Sequence, residues 1–205
     1  MSTIQESPYK GSGQLTRQQF LFYEMRTTAK LMDSGLSDEE VLSCIQDENL
    51  YQYPTEKTIK QIAKGCIQRL HCLEDSSLVS AIANLESETA RQICLYAMMK
   101  QYRLIWDFMI TVIGQKYRQQ DFHFSRRDIN TFFLQLQEQD DTVASWSENT
   151  VKRIIMIISK ILVENGYIEN GKSTVLQPVL ISRILESAIR ESGNEIALQA
   201  FNCLS

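Results

Sequence analysis

The chain has 205 residues, of which 43% are hydrophobic and 22% are charged, and this composition excludes a wholly disordered protein. A net charge of -4 argues against a uniformly basic nucleic-acid-binding protein. It leaves room for a local basic face, because salt screens charges beyond about 8 Å. Only 8 glycines and 3 prolines are present, so few positions interrupt a helix and the composition favours an α-helical fold.

The five cysteines and two histidines give no sign of a metal site or a disulfide framework. The cysteines are odd in number and include no Cys-x-x-Cys pair, which is typical of a protein in a reducing compartment. Residues 1–19 lack an apolar signal core, and no apolar stretch reaches the roughly 20 residues that span a membrane. We therefore expect a cytoplasmic protein with no membrane segment and no cofactor.

Three helices are predicted in the first part of the chain. The first runs from about Thr16 to Met32, and the second follows a capping box at Ser37–Glu40. The third runs from Thr55 to Leu70, with apolar residues at three- and four-residue spacing. The second and third helices together predict a helix-turn-helix unit. The opposite stripe of the third helix has a positive excess and carries the candidate DNA-binding residues Lys57, Lys60, Gln61 and Lys64.

The rest of the chain is also predicted to be mainly helical. The helices expected there are Leu78–Leu85, about Glu88–Gln119, Arg126–Gln137, Ser147–Asn165, Ser182–Glu191 and Glu195–Asn202. The predicted organisation is an N-terminal helix-turn-helix domain over residues 1–85, a long connecting helix over 86–120 and a C-terminal winged-helix-like domain over 121–205.

The wing is predicted where the pattern changes from helical to alternating. Asn170-Gly171 is a preferred pair for a type I′ turn, so Tyr167–Leu176 is expected to form a small β-hairpin. Helix, turn, helix and hairpin follow one another in a winged helix-turn-helix, which places its second helix in the major groove. The predicted fold class is mainly α, with two helical subdomains containing helix-turn-helix-type units, the second with the hairpin wing.

The second unit offers its own contacts for DNA. Asn and Arg side chains suit adenine and guanine edges, whereas Lys suits phosphates. Ser147 and Thr150 lie at a helix N-terminus, where phosphate oxygens bind. Lys116, Arg118, Arg126 and Arg127 form a basic cluster near the middle of the chain, diluted by Asp121 and Asp128, which is either a strip of phosphate contacts or simple surface charge. The residues of this unit expected to contact DNA are Arg126, Arg127, Ser147, Asn149, Thr150, Lys152, Arg153 and Lys172.

These features also have ordinary structural explanations. A lysine stripe on a helix is most often a solvated face, and a helix-turn-helix can serve only for packing. Two such units in one chain, one with a wing and one with a local positive excess, favour a nucleic-acid-binding protein.

No catalytic constellation is apparent in the sequence. It contains no Gly-rich phosphate loop, no nucleophile elbow and no His-Glu-x-x-His spacing. His71 and Cys72 are adjacent, but neighbours on a helix point in different directions. We expect a non-enzymatic protein with no small-molecule substrate.

Several stretches in matching order resemble the BrxA family of bacterial BREX (bacteriophage exclusion) phage-defence systems. They are Tyr9-Lys10, Leu36–Leu50 with Thr55–Leu70, Ala90–Met109, Phe124–Asp128, Ala144–Glu148 and Gly166-Tyr167-Ile168. The likeness spans nearly the whole chain. It implies a small, helical, non-enzymatic DNA-binding component of a defence locus, with other BREX proteins as partners.

The predicted function is therefore double-stranded DNA binding in phage defence. An α-helical adaptor that binds protein partners of the defence complex is the first alternative, and it would show an exposed apolar patch and no concentrated positive face. RNA binding by a helical protein is the second alternative.

Overall fold

The computed structural model describes residues 6–203, and the predicted helical class is confirmed. Within that range no residue belongs to a β-strand, and no helix is long and apolar enough to cross a membrane. Two 3₁₀ segments cover Ser12–Thr16 and Glu195–Phe201, and a π-helical segment covers Met109–Gly114. The α-helices of the described residues are α1 (Phe22–Asp33), α2 (Asp38–Asp47), α3 (Glu56–His71), α4 (Ser76–Asn84), α5 (Ser87–Gln101), α6 (Arg103–Phe108), α7 (Gln115–Gln119), α8 (Arg126–Gln139), α9 (Asp141–Ala144), α10 (Glu148–Glu164) and α11 (Arg183–Glu191).

The described residues form two compact units that interleave along the chain. Unit 1 comprises residues 6–19, 102–180 and 196–203, and unit 2 comprises residues 20–101 and 181–195. The domains predicted from the sequence were consecutive segments instead, with limits at residues 85 and 120.

Unit 2 is built around α1 and α3. α1 packs against α3 and α4, α3 also contacts α2 and α5, and α11 lies against α4 and α5. The predicted starts of α2 and α3 are confirmed. Ser37 and Glu40 form the capping box, and the Thr55 hydroxyl caps α3 by accepting a hydrogen bond from the backbone N–H of Thr58.

A fully buried arginine lies at the C-terminal end of α3. The guanidinium of Arg69 donates from Nε to Oε1 of Gln101 and from Nη1 to the carbonyl of Phe20, each over 3.0 Å. Phe20 and Gln101 are the residues at which the chain enters and leaves the main segment of unit 2. Arg69 therefore joins both ends of that segment from inside the core.

Unit 1 packs α8 and α10 against the π-helical segment and the first 3₁₀ segment. α10 contacts both α8 and Ser12–Thr16, and α8 contacts Met109–Gly114. Phe108 and Phe132 meet edge to face with ring centroids 5.3 Å apart. Tyr167 is buried after α10, and its hydroxyl donates to the carbonyl of Ala200 over 2.9 Å. These contacts fix the direction in which α10 presents its polar face.

Two helices differ from their predicted extents because single residues leave the helical backbone. Leu21 has a positive φ of 56°, so α1 begins only at Phe22 and residues 12–16 form a separate 3₁₀ turn. Tyr102 is extended, with φ -120° and ψ 107°, and its hydroxyl donates to Oε1 of Gln18 over 2.9 Å. The predicted Glu88–Gln119 helix is therefore interrupted between α5 and α6.

The predicted β-hairpin over Tyr167–Leu176 is wrong, because neither arm is a strand. A turn does form at Asn170-Gly171, where the backbone N–H of Ser173 donates to the carbonyl of Asn170 over 2.9 Å. Neither central residue has the positive φ of a type I′ turn. The chain after the turn bonds instead to the segment before α8, with Phe124 donating to Thr174 and Leu176 to Phe122. The backbone groups that would pair the two arms of a hairpin thus bond to residues 122–124 instead.

Candidate nucleic-acid interface

The two units differ in charge, and the difference separates the two predicted DNA-binding surfaces. Unit 1 contains eleven Lys and Arg and ten Asp and Glu, a net charge of +1, whereas unit 2 contains ten basic and fifteen acidic residues, a net charge of -5. Of the twelve candidate residues, four lie in unit 2 and eight in unit 1. The long-range field therefore favours an anionic ligand at unit 1.

The candidate face of unit 2 is the outer stripe of α3. Its three lysines are exposed and form no ion pair with any described residue, and Gln61 lies exposed between them. The stripe continues to Gln68, and about eleven residues of helix span about 16 Å. This arrangement can offer three phosphate contacts in a row, at Lys57, Lys60 and Lys64.

The neighbouring helix opposes that role. α2 packs against α3 and carries four carboxylates and no basic residue. The Asp38 carboxylate also contacts Nε2 of His71 over 2.9 Å. Residues 48–55 connect the two helices, a longer link than a minimal turn, and Asn49 braces it through side-chain hydrogen bonds to the N–H and carbonyl of Tyr53. A duplex along α3 would meet repulsion from the carboxylates of α2.

The candidate face of unit 1 is the outer side of α10. Buried isoleucines on the inner side hold the helix, and Asn149, Lys152 and Arg153 are exposed on its first two turns. Lys152 Nζ lies 3.1 Å from the Glu148 carboxylate, but both side chains are largely exposed, so this pair is weak. Arg153 forms no ion pair with the described residues.

The exposed Arg126 and Arg127 start α8, and the ion pairs of the half-buried Lys116 position that start. Lys116 Nζ lies 2.9 Å from a carboxylate oxygen of Asp121 and 3.1 Å from one of Asp128, and it donates to the His123 carbonyl over 2.7 Å. Burial acts to lower the pKa of Lys116, but its hydrogen bonds to the two carboxylates raise it. Lys116 is therefore a positioning residue for the start of α8.

Ser147 and Thr150 serve the start of α10. The Ser147 hydroxyl accepts a hydrogen bond from the backbone N–H of Thr150 over 3.2 Å, and the two side-chain hydroxyls lie 2.9 Å apart. Ser147 is the N-cap residue, and its side-chain oxygen satisfies an N–H group that has no helical partner.

Replacing this cap should destabilise the protein. We expect Ser147→Ala to lower the free energy of unfolding by about 1 kcal/mol, because the N–H of Thr150 loses its acceptor. Ser147→Asp preserves an acceptor and should remain close to the original stability in urea unfolding. Equal stability of the alanine and aspartate variants would contradict the capping role.

Lys172 is exposed on the turn that replaces the predicted hairpin. Its backbone N–H donates to Oδ1 of Asn170 over 2.9 Å, and its side chain forms no ion pair with any residue in the range 6–203. Tyr167 joins the same region, since the N–H of Gln177 donates to the Tyr167 carbonyl over 2.8 Å. The turn thus presents Lys172 on a backbone fixed at several points.

The described residues show no cluster of three or more His, Cys, Asp or Glu that could hold a metal ion. The five cysteines are free thiols, and burial raises the pKa of Cys66 to about 11 and that of Cys94 to about 12. These two buried thiols are therefore protonated at neutral pH and behave as small apolar residues.

Sequence reasoning did not assign particular carboxylate partners to the basic residues of unit 1. Glu148 pairs with Lys152, and Glu164 lies 3.6 Å from Lys160. The four-residue spacing of both pairs is visible in the sequence and could have indicated them. The contacts of Lys116 with Asp121 and Asp128 depend on the turn after α7 and have no such local signal.

Similar proteins are known. The model of the BrxA family matches residues 8–193 of the chain. A "BREX protein BrxA" from Bacillus cereus (strain H3081.97) is 32% identical over 195 residues, which cover 94% of this chain and 96% of that protein. Another from Escherichia coli O9:H4 (strain HS) is 23% identical over 172 residues, which cover 84% and 80% of the two chains. The crystal structure of an uncharacterised protein from Magnetospirillum magneticum has the same fold, with a TM-score of 0.77 and 22% identity over 92% of this chain and 96% of that one.

Proposed function

The chain belongs to the BrxA family, and on that premise we propose that it is a component of a BREX phage-defence system that binds double-stranded DNA without catalysing a reaction. The observation that carries DNA binding is the group of exposed cations of unit 1 that lack an acidic partner among the described residues. This group includes Arg126 and Arg127 at the start of α8, Arg153 on α10 and Lys172 on the following turn.

We propose that α8 and α10 act as a helix-turn-helix-type unit in which a turn takes the place of the predicted hairpin wing. An extended segment at residues 122–124 precedes α8, α10 follows, and the chain returns at residues 174–177 to bond to that first segment and to Tyr167. Only one bridge, between His123 and Val175, is formed among the described residues, so the turn at Asn170-Gly171 occupies the place of a wing without being a β-hairpin. In such a unit α10 would enter the major groove and the turn with Lys172 would lie over the backbone.

Side-chain chemistry then assigns different roles to the candidate residues. Asn149 is exposed on the outer face of α10, where it can reach the edge of a base pair. Arg126, Arg127, Arg153 and Lys172 suit phosphates, and these four contacts would supply most of the affinity. The α3 stripe of unit 2 would add phosphate contacts, weakened by the acidic α2.

A second function, that of an α-helical adaptor for other BREX proteins, is favoured by one observation. Leu134 on α8 is 62% exposed and lies in a groove of unit 1. Apolar side chains exposed in a groove are typical of protein-binding surfaces. This function uses apolar side chains of unit 1, whereas DNA binding uses its cations.

A salt titration tests duplex binding directly. With four phosphate contacts we expect the logarithm of the association constant to fall with a slope of about -4 against the logarithm of salt concentration. Affinity for a labelled duplex of mixed sequence should therefore drop on the order of 100-fold between about 50 and 200 mM salt. Fluorescence anisotropy of the labelled duplex measures it.

The same titration separates the alternatives. An RNA duplex of the same sequence should compete poorly, because its deep and narrow major groove does not admit a helix. Stronger competition by RNA than by DNA would favour the RNA-binding alternative. If neither duplex shows salt-dependent binding, the adaptor function is the proposal that remains.

A further inference from the structure

The groove that contains Leu134 is formed by two helices of unit 1. One wall is a stripe of α8 from Arg126 to Gln137, and the other is the start of α10 from Glu148 to Ile155. The groove encloses about 510 Å³, and its apolar lining consists of Phe133, Leu134, Trp146, Val151 and Ile155. We name it the α8–α10 groove.

The dimensions of the α8–α10 groove match a helix. Eleven residues separate the ends of the α8 wall, so the groove is about 16 Å long, which corresponds to about three helical turns. A helix laid in such a groove buries side chains at positions i, i+3 or i+4, and i+7. Leu134 and the half-buried Trp146 offer apolar contact surface to such side chains.

The rim of the groove selects the charge of the occupant. Arg126 and Lys152 are the basic residues of the lining, and Glu148 is its one carboxylate. Glu148 is already paired with Lys152, whereas Arg126 forms no ion pair with the described residues. The rim therefore has a net positive charge and an unpaired guanidinium, which complements carboxylates beside an apolar stripe.

From this geometry we infer that the α8–α10 groove binds an acidic amphipathic helix of another protein. Aliphatic or aromatic side chains of that helix contact Leu134 and Trp146, and a carboxylate on its flank pairs with Arg126. The docking inference depends only on the shape, apolar lining and charge of the groove. Because Arg126 is also a proposed DNA contact, a docked helix would exclude a duplex there, and this consequence rests on the proposed function.

Two synthetic peptides of about eleven residues test the docking in the absence of DNA. Both carry leucine and phenylalanine on one helical stripe, and they differ only in having glutamate or lysine at the flanking positions. With a fluorescein label, anisotropy measures their binding to the full chain. We expect the glutamate peptide to bind at least about tenfold more tightly than the lysine peptide.

Variants locate the binding. Leu134→Asp should weaken binding of the glutamate peptide at least about tenfold, and Asn130→Trp should weaken it similarly by filling the groove. Met156→Asp is the matched control, because Met156 on α10 is 61% exposed but does not line the groove. It should leave peptide binding within about twofold, and circular dichroism checks that every variant is folded.

Three results would overturn the inference. They are equal binding of the two peptides, no binding of the glutamate peptide, and equal losses from Leu134→Asp and Met156→Asp. If the peptide fails to bind but Leu134→Asp weakens binding of a duplex, the groove belongs to the DNA interface instead. Because the peptide assay contains no DNA, its failure leaves the duplex titration unaffected.

Discussion

Reversing three arginines of unit 1 should reduce affinity for duplex DNA on the order of 100-fold or more near 0.1 M salt. The variant is Arg126→Glu, Arg127→Glu and Arg153→Glu in one chain. At that salt concentration the counterions released by each phosphate contact contribute about an eightfold gain in affinity, so three lost contacts multiply to several hundredfold. All three side chains are exposed and form no ion pair with the described residues, so the helices should remain folded.

The matched control reverses three lysines of unit 2. Lys57→Glu, Lys60→Glu and Lys64→Glu change the net charge by the same amount and also lie on an exposed helical face. We expect a smaller loss of about tenfold, because the carboxylates of α2 already weaken the field along α3. Anisotropy titrations at several salt concentrations give both the affinities and the slopes.

The slopes decide whether the affected residues contact phosphates. Losing three phosphate contacts should make the slope shallower by about 3, whereas a general change in net charge should not alter it so strongly. If both triple variants lose the same affinity, total charge and not the face of unit 1 governs binding. An affinity that neither variant changes would remove both helical faces from the proposed interface.

Local signals in the sequence were enough to predict most of the helices. Capping residues at Ser37, Thr55 and Ser147 start α2, α3 and α10 where they were expected, because a side-chain oxygen bonds to a backbone N–H three residues ahead. Apolar spacing also gave the inner and outer faces of α3 and α10 correctly, so the exposed candidates on these helices were predictable.

The errors came from contacts between distant segments. Leu21 and Tyr102 leave the helical backbone where the chain passes between units, and neither residue type signals a break. The Asn170-Gly171 pair is typical of a hairpin, but the following residues bond to the segment before α8, about fifty positions earlier. The role of Lys116 was missed for the same reason, since the contact with Asp128 depends on how α7 and α8 approach each other.

Replacing the buried arginine of unit 2 should lower the free energy of unfolding by about 3 kcal/mol. Arg69→Met keeps a long side chain in the core but removes the donors that satisfy the Phe20 carbonyl and Oε1 of Gln101. Buried acceptors left without a donor cost about 1–3 kcal/mol each. Lys64→Met is the control, since it removes the same charge from an exposed position of the same helix and should change stability by less than about 0.5 kcal/mol.

Tryptophan fluorescence reports on unit 1, whereas circular dichroism reports on the helices of both units. Both tryptophans, Trp106 and Trp146, belong to unit 1, whereas helices of both units contribute to far-ultraviolet circular dichroism. We expect the dichroism midpoint in urea to fall in Arg69→Met, because α3 and both ends of the main segment of unit 2 lose a shared partner. If Arg69→Met unfolds at the same urea concentration as Lys64→Met, the buried hydrogen bonds of Arg69 do not stabilise unit 2.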